Sequence, residues 1–400
     1  MARFFSRERF GQPQIIAGLM LLIFAAECAW LVAHTAPNLV SPEEFVRVQQ
    51  GLEQWRGHGV AGTPSLRIEA FPELPPQSEY DPDHPPLWYL IGAAPVALLH
   101  VTPYSSPWIW LTRAPYIIFG VLLGASVWYV SRRLYGNAGG YMALALYCFS
   151  PAVVRSSALW AAPPDIAGAW GAFGAVFTAI AVSHTLYAPR EVVLWNWRRI
   201  ALLGISLTLA AGSQFSLALI VPVLLAFMFY LAPGRRSAAA TILGAACGVG
   251  LALLFAAYFF HSGIFWESLK HAELLPASTA ALRMPGAYLQ VLREISASGP
   301  VLTTLVPIAL ASYAFWPRCR YFGNTAPLLI ALLFLALRVA SPHEAGSVFC
   351  LIGVVFLFVF VAGIMADLLE TRRRDLAAAV LTGLIAANAL WNLIGLARIG

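Results

Sequence analysis

The stretch EYDPDHPPLWYLIGA, residues 79–93, sets Asp83 and His84 directly before a diproline and an apolar run. Glu43 and Glu44 open a second polar segment, SPEEFVRVQQGLEQW. Asp165 follows two prolines in ALWAAPPDIAGAWGAF. Carboxylates and histidines of this kind serve as general bases or hold a divalent cation. Each also has a plainer role. Glu43 and Glu44 complement a helix dipole in a first turn, and Asp165 caps a helix at an interface. No pair has metal-ligand spacing along one helix, so a possible divalent metal rests on Asp83 and Asp165 alone. His261 and His271 read as interfacial histidines.

The elements that position these groups are membrane helices. The chain has 400 residues, 60% of them hydrophobic and 11% charged, with mean hydropathy +0.73. A soluble domain carries about 25% charged residues, so the sequence predicts an all-α, polytopic transmembrane bundle. The net charge of +6 comes from short loops and reports orientation, with no nucleic-acid partner implied. The first apolar run, 15–34, follows Arg3, Arg7 and Arg9 and reads as an uncleaved span with its N-terminus in the cytoplasm. The five cysteines are scattered without metal or disulfide spacing and read as small core hydrophobes.

Arginine clusters set the topology. They lie at 3–9, 132–133, 190–199, 235–236, 318–320 and 372–374, and the positive-inside rule puts all six in the cytoplasm. An even number of crossings must then separate consecutive clusters. Three apolar runs precede Arg132, at 15–34, 85–101 and 113–131. The middle one is shortest and opens on two prolines, so it is expected to lie at the outer interface without crossing. Trp88, Tyr89, Trp108 and Trp110 suit that depth. Further spans are expected near 138–154, 166–186, 200–232 (a hairpin turning at Gly212–Gln214), 238–261, 299–316, 322–340, 346–368 and 376–396. About eleven spans result, in one membrane-embedded domain over 1–400, with outer loops at 36–112 and 262–298. Their centres are nearly free of charge apart from Arg338, which argues against an ion-coupled transporter.

The first outer loop is acidic: residues 36–84 hold eight acids against three arginines. Within it, Phe45, Val48, Leu52 and Trp55 form one apolar stripe of a helix lying on the membrane. The topology gathers Glu43, Glu44, Asp83, His84, Asp165, Gln214, the 262–298 loop and His343–Glu344 on the outer face. The 262–298 loop carries the chain's single lysine, Lys270, and could close over a site there.

Four segments together resemble the polytopic glycosyltransferases of the C superfamily, nearest to lipid A aminoarabinose transferases, protein mannosyltransferases and their bacterial relatives. They are SPEEFVRVQQGL, DHPPLWYL, SRRLYG and PPDIAGAW. The likeness covers the first half well; the second half matches in hydropathy and in the polar turn RVASPHEAG. It implies transfer of a sugar from a polyprenyl-phosphate donor to an acceptor hydroxyl, at the periplasmic face of a bacterial inner membrane. It implies Glu43 or Glu44 as base, with Asp165 assisting. Tyr80, Asp83, His84, Arg155, Gln214 and His343 would bind substrate, a protonated His84 meeting the donor phosphate. Two departures stand out. With Phe45 and Leu52 in register, Ser41–Pro42 falls where the family's acidic pair lies, so either the register slips onto Glu43–Glu44 or the base is lost. Gln214 stands where a lysine is common. A lipid-linked-sugar binding subunit without catalysis, or a transporter, is the alternative.

Overall fold

The computed structural model describes residues 12–39, 42–57, 64–67, 72–73, 75–78, 84–103, 105–159, 165–187, 197–272, 274, 277–341, 346–371 and 374–398. These are helical almost throughout. A small antiparallel ribbon, β1 (Pro64–Leu66) with β2 (Gln77–Ser78), interrupts them. Among the described residues seven helices are long and apolar enough to cross a membrane, or eight if one bent pair is a single span. The fold is therefore an all-α polytopic one. It divides into two compact units that interleave along the chain: a central unit, Ala36–Phe119 with Leu159–Pro276, and a terminal unit, Met1–Thr35, Gly120–Ala158 and Ala277–Gly400.

The chain runs through α1 (Gln12–Leu39), α2 (Pro42–Trp55), α3 (Leu87–Leu99) and α4 (Ser106–Cys148). At 43 residues α4 is about twice a membrane crossing, and it breaks at Gly136, whose φ of 74° only glycine adopts freely. The two expected spans at 113–131 and 138–154 are the halves of this broken helix. The second half stops at Cys148, short of 154. Pro151 disfavours helical geometry at Ser150 and starts a separate short helix, α5 (Pro151–Ala158).

In the central unit, α3 is 13 residues long, ends at His100 in the left-handed conformation and is too short to cross. It packs on α2 through Gly51, where a Cβ would lie 2.1 Å from the Tyr89 carbonyl oxygen. Trp55 Nε1 donates to the Leu90 carbonyl at 3.1 Å. Helices α6 (Asp165–Thr185), α7 (Trp197–Ser213), α8 (Ile220–Leu231), α9 (Arg236–Ala257) and α10 (Ser262–His271) complete the unit. The α7–α8 turn falls at Gln214, as the hairpin reading expects, followed by a 3-10 turn over Phe215–Leu219. Tyr89, Leu90, Phe215, Leu254, Tyr258 and Phe265 form a buried cluster here.

Two expectations need correction. The α2 stripe does not lie bare on a membrane: Phe45, Val48 and Leu52 are buried in protein, and Phe45 packs on Trp108 with ring centroids 5.4 Å apart. Tyr89 and Trp108, expected in an interfacial belt, are likewise core residues. A helix covered on several sides turns its stripe to neighbours, and hydropathy does not distinguish such neighbours from lipid.

The terminal unit holds α11 (Pro285–Ala297), α12 (Pro300–Phe315), α13 (Phe322–Ala340), α14 (Ser347–Leu369) and α15 (Arg374–Ala397). Helix α14 is apolar on every face and sits wholly inside the unit, as such a helix must unless lipid surrounds it. Helices α11 and α12 meet at 111°. Arg338 of α13 is paired: Nε lies 2.9 Å from Glu294 Oε2 and Nη2 lies 2.5 Å from Oε1, while Nη1 donates to the Ser341 carbonyl at 2.6 Å. Glu294 belongs to α11, so the second half of the 262–298 loop is fixed in the unit. Arg338 is also not the one charge in the spans. Glu27 of α1 is 5% exposed and accepts from Asn392 Nδ2 at 2.8 Å.

Candidate functional site

Helix α2 begins at Pro42, whose fixed φ suits a first helical position, and carries Glu43 and Glu44 in its first turn. Neighbours on a helix point about 100° apart, and here the consequence is complete. Glu43 is exposed, whereas Glu44 is buried and ion-paired with Arg113 of α4, itself 1% exposed. Arg113 also donates to Thr112 Oγ1 at 3.2 Å. Burial pushes the Glu44 carboxyl up to about 7, against the pull of Arg113. Glu44 therefore ties α2 to α4 and has no open path to a substrate, while Glu43 has one.

One turn beyond Glu43, Arg47 places its guanidinium carbon 5.9 Å from the centre of the Trp88 ring, within cation–π reach. His84 packs against the same indole at a tilt of 43°, with centroids 4.1 Å apart. Trp88 Nε1 donates to the Ser213 carbonyl at 2.5 Å, and a Cβ on Gly212 would meet Leu87 at 2.9 Å. The start of α3 is thus seated against the end of α7, with Gln214, 8% exposed, next in the chain.

Asp165 begins α6, which runs antiparallel against α7. Gly171 lies at Ala210 and Gly174 at Ser206, with Cβ positions 2.5 Å from Ala210 N and 2.8 Å from Ser206 Oγ. Continued to its start, that register carries Asp165 to the Ser213–Phe215 end of the hairpin. One end of the central unit therefore holds Glu43, Arg47, His84, Trp88 and Gln214, and Asp165 stands at the first position of α6. Tyr80, Asp83 and His343 lie outside the described residues. Arg155 belongs to the terminal unit, at the end of α5, where it lines a separate cleft.

Arg47, Arg113 and the bridging role of Trp88 escaped the sequence reading. Arg47 had a usable signal, since a residue four after Glu43 shares its helix face. Arg113 had none, because it opens an apolar run and its partner is 69 residues away. Among the described residues no three His, Cys, Asp or Glu side chains group closely enough to hold a metal ion; Asp83, one of the two expected ligands, lies outside them.

No protein-family model matches the chain, and no curated protein matches it by sequence. Solved structures do match. The archaeal oligosaccharyltransferase AglB from Archaeoglobus fulgidus, in complex with an inhibitory peptide and a dolichol-phosphate, is 14% identical with a TM-score of 0.59, over 96% of this chain and 56% of that one. The same organism's oligosaccharyltransferase tethered to an acceptor peptide containing the NVT sequon gives 13%, 0.58, 99% and 55%. Its complex with Zn and sulfate gives 14%, 0.56, 93% and 52%. This chain spans little more than half the length of those proteins. At such identity the likeness is one of fold alone, shared with the part of these oligosaccharyltransferases' chains that this chain covers.

Proposed function

We propose that the chain transfers a sugar from a polyprenyl-phosphate donor to an acceptor hydroxyl at the periplasmic face of a bacterial inner membrane. The observation that carries this is the meeting of His84 and Arg47 on the Trp88 ring, one turn from an exposed carboxylate. Two basic groups on one indole, at the mouth of an apolar helix, suit a phosphate whose lipid tail lies beside that helix. A neighbour of the same fold was solved with a dolichol-phosphate, which supports the donor class.

Glu43 takes the proton of the acceptor hydroxyl. The freed oxygen attacks the anomeric carbon, the bond from that carbon to the phosphate oxygen breaks, and the polyprenyl phosphate leaves with the electron pair. His84 as imidazolium and Arg47 hold the donor and offset the negative charge as it develops on the phosphate. Asp83 favours the charged form of His84, and Tyr80 binds the donor from the same segment. Asp165 and Gln214 orient the acceptor from the α6–α7 end. His343 is proposed to join them. A second reading, a binding subunit without catalysis, draws on the burial of Glu44, which leaves one candidate base of the pair.

The test is transfer of a labelled sugar from a polyprenyl-phosphate donor by the reconstituted chain. Glu43→Gln is expected to slow transfer by about 10²–10⁴-fold with donor binding kept, and His84→Ala to weaken donor binding. Full transfer by Glu43→Gln overturns Glu43 as base. Donor binding with no transfer in the wild type selects the binding-subunit reading.

A further inference from the structure

A second polar place lies in the terminal unit. A cleft of about 210 Å³ runs between α5, the end of α11 and α15, lined by Pro151, Val154, Arg155, Ala297, Trp391 and Asn392, with Gly395 and Leu396. That is the space of about seven waters at about 30 Å³ each. Its chemistry is lopsided. Arg155 makes no hydrogen bond or ion pair with any described residue and stands exposed on one wall. Asn392, 3% exposed, spends its Nδ2 on Glu27, so its Oδ1 is the acceptor left for the cleft. Trp391 is 61% exposed beside it.

Glu27 explains why the amide is held this way. Its Oε2 takes the Asn392 amide, and its Oε1 has no partner among the described residues. A buried acid in an apolar helix is costly and marks a functional place by default. The bond to Glu27 fixes the Asn392 amide, leaving its Oδ1 as the acceptor of the side chain. Cys28, the next residue of α1, brings its thiol within 3.9 Å of the Val154 carbonyl, so α1 backs the Arg155 wall too.

The cleft thus presents a cation on one side, and an aromatic face with an acceptor on the other. We propose that it seats the zwitterionic headgroup of an aminophospholipid. The phosphodiester lies on Arg155, and the ammonium lies between the Trp391 ring and Asn392 Oδ1. Leu390, Leu393 and Ile394, all exposed on the same part of α15, offer the acyl chains an apolar surface. No covalent step is involved.

The full chain in nanodiscs holding equal phosphatidylethanolamine and phosphatidylglycerol tests this, with retained lipid counted by native mass spectrometry. Phosphatidylethanolamine is expected to be retained over phosphatidylglycerol by about tenfold. Arg155→Gln and Trp391→Leu should each lower its retention by about tenfold, a change worth 1.4 kcal/mol. Both side chains are exposed, so a melting curve matching wild type confirms that the fold persists. Equal retention of the two lipids, or undiminished retention by either variant, overturns the proposal. Displacement of the lipid by an added polyprenyl monophosphate overturns it as well and assigns Arg155 to the donor.

Discussion

Among the described residues two glutamates are fully buried, and the chain meets them in opposite ways. Glu44, in the central unit, faces an arginine that is buried with it. Glu27, in the terminal unit, faces a neutral amide. The first arrangement is closed: charge meets charge, and two helices are pinned together. The second has no opposite charge: the Glu27 carboxylate meets the Asn392 amide, and Asn392 also lines a cleft. A buried acid is thus a brace where its partner carries the opposite charge, and a marker of a site where it does not.

The sharpest way to break that contrast is to remove Glu44. Above about pH 7, where the Glu44 carboxyl is ionised, Glu44→Ala leaves the Arg113 charge buried and uncompensated, and should destabilise by about 3–5 kcal/mol. The paired Glu44→Leu, Arg113→Met change should recover most of that loss. Both are read from unfolding in detergent. A Glu44→Ala protein as stable as wild type would show that the pair is not a brace.

Glu44 also carries a pH signature. Burial raises its carboxyl from 4.5 to about 7 in the fold, so the folded chain keeps a proton that the unfolded chain has released. Stability therefore falls as pH rises from about 4.5 to about 7 and levels off above. Glu44→Gln should flatten that slope; an unchanged slope means another group produces it.

Gly51→Ala puts a methyl 2.1 Å from the Tyr89 carbonyl oxygen. It should cost about 1–3 kcal/mol through overpacking and lower transfer as α3 shifts its His84–Trp88 mouth. Unimpaired melting and transfer would show that the α2–α3 contact does not position the site. At the small end, Glu43→Gln should move stability by no more than about 0.5 kcal/mol, as an exposed substitution does. A larger loss would make Glu43 a second brace and weaken its assignment as base.

Much of this was legible in the residues. The turn at Gln214, the short apolar helix over 87–99, and the helical segments of the bundle follow from hydropathy, prolines and arginine counting. What was hidden is what needs a third dimension. Glu43 and Glu44 are equivalent in sequence, and only Arg113 from a distant helix separates them. Tyr89 and Trp108 have belt-like types but core positions. Glu27 was lost in an apolar run because one carboxylate barely lowers the hydropathy of a 23-residue span. Charge averaging conceals the residues for which a membrane protein must make special provision.

The central claim is that polar groups from α2, α3 and the α6–α7 end surround one lipid phosphate. A structure of the chain with a bound polyprenyl-phosphate donor tests it most directly. The phosphate is expected within hydrogen-bonding distance of His84 and Arg47 beside Trp88, with Glu43 on the sugar side. A phosphate seated away from that indole, out of reach of both basic residues, would contradict the account.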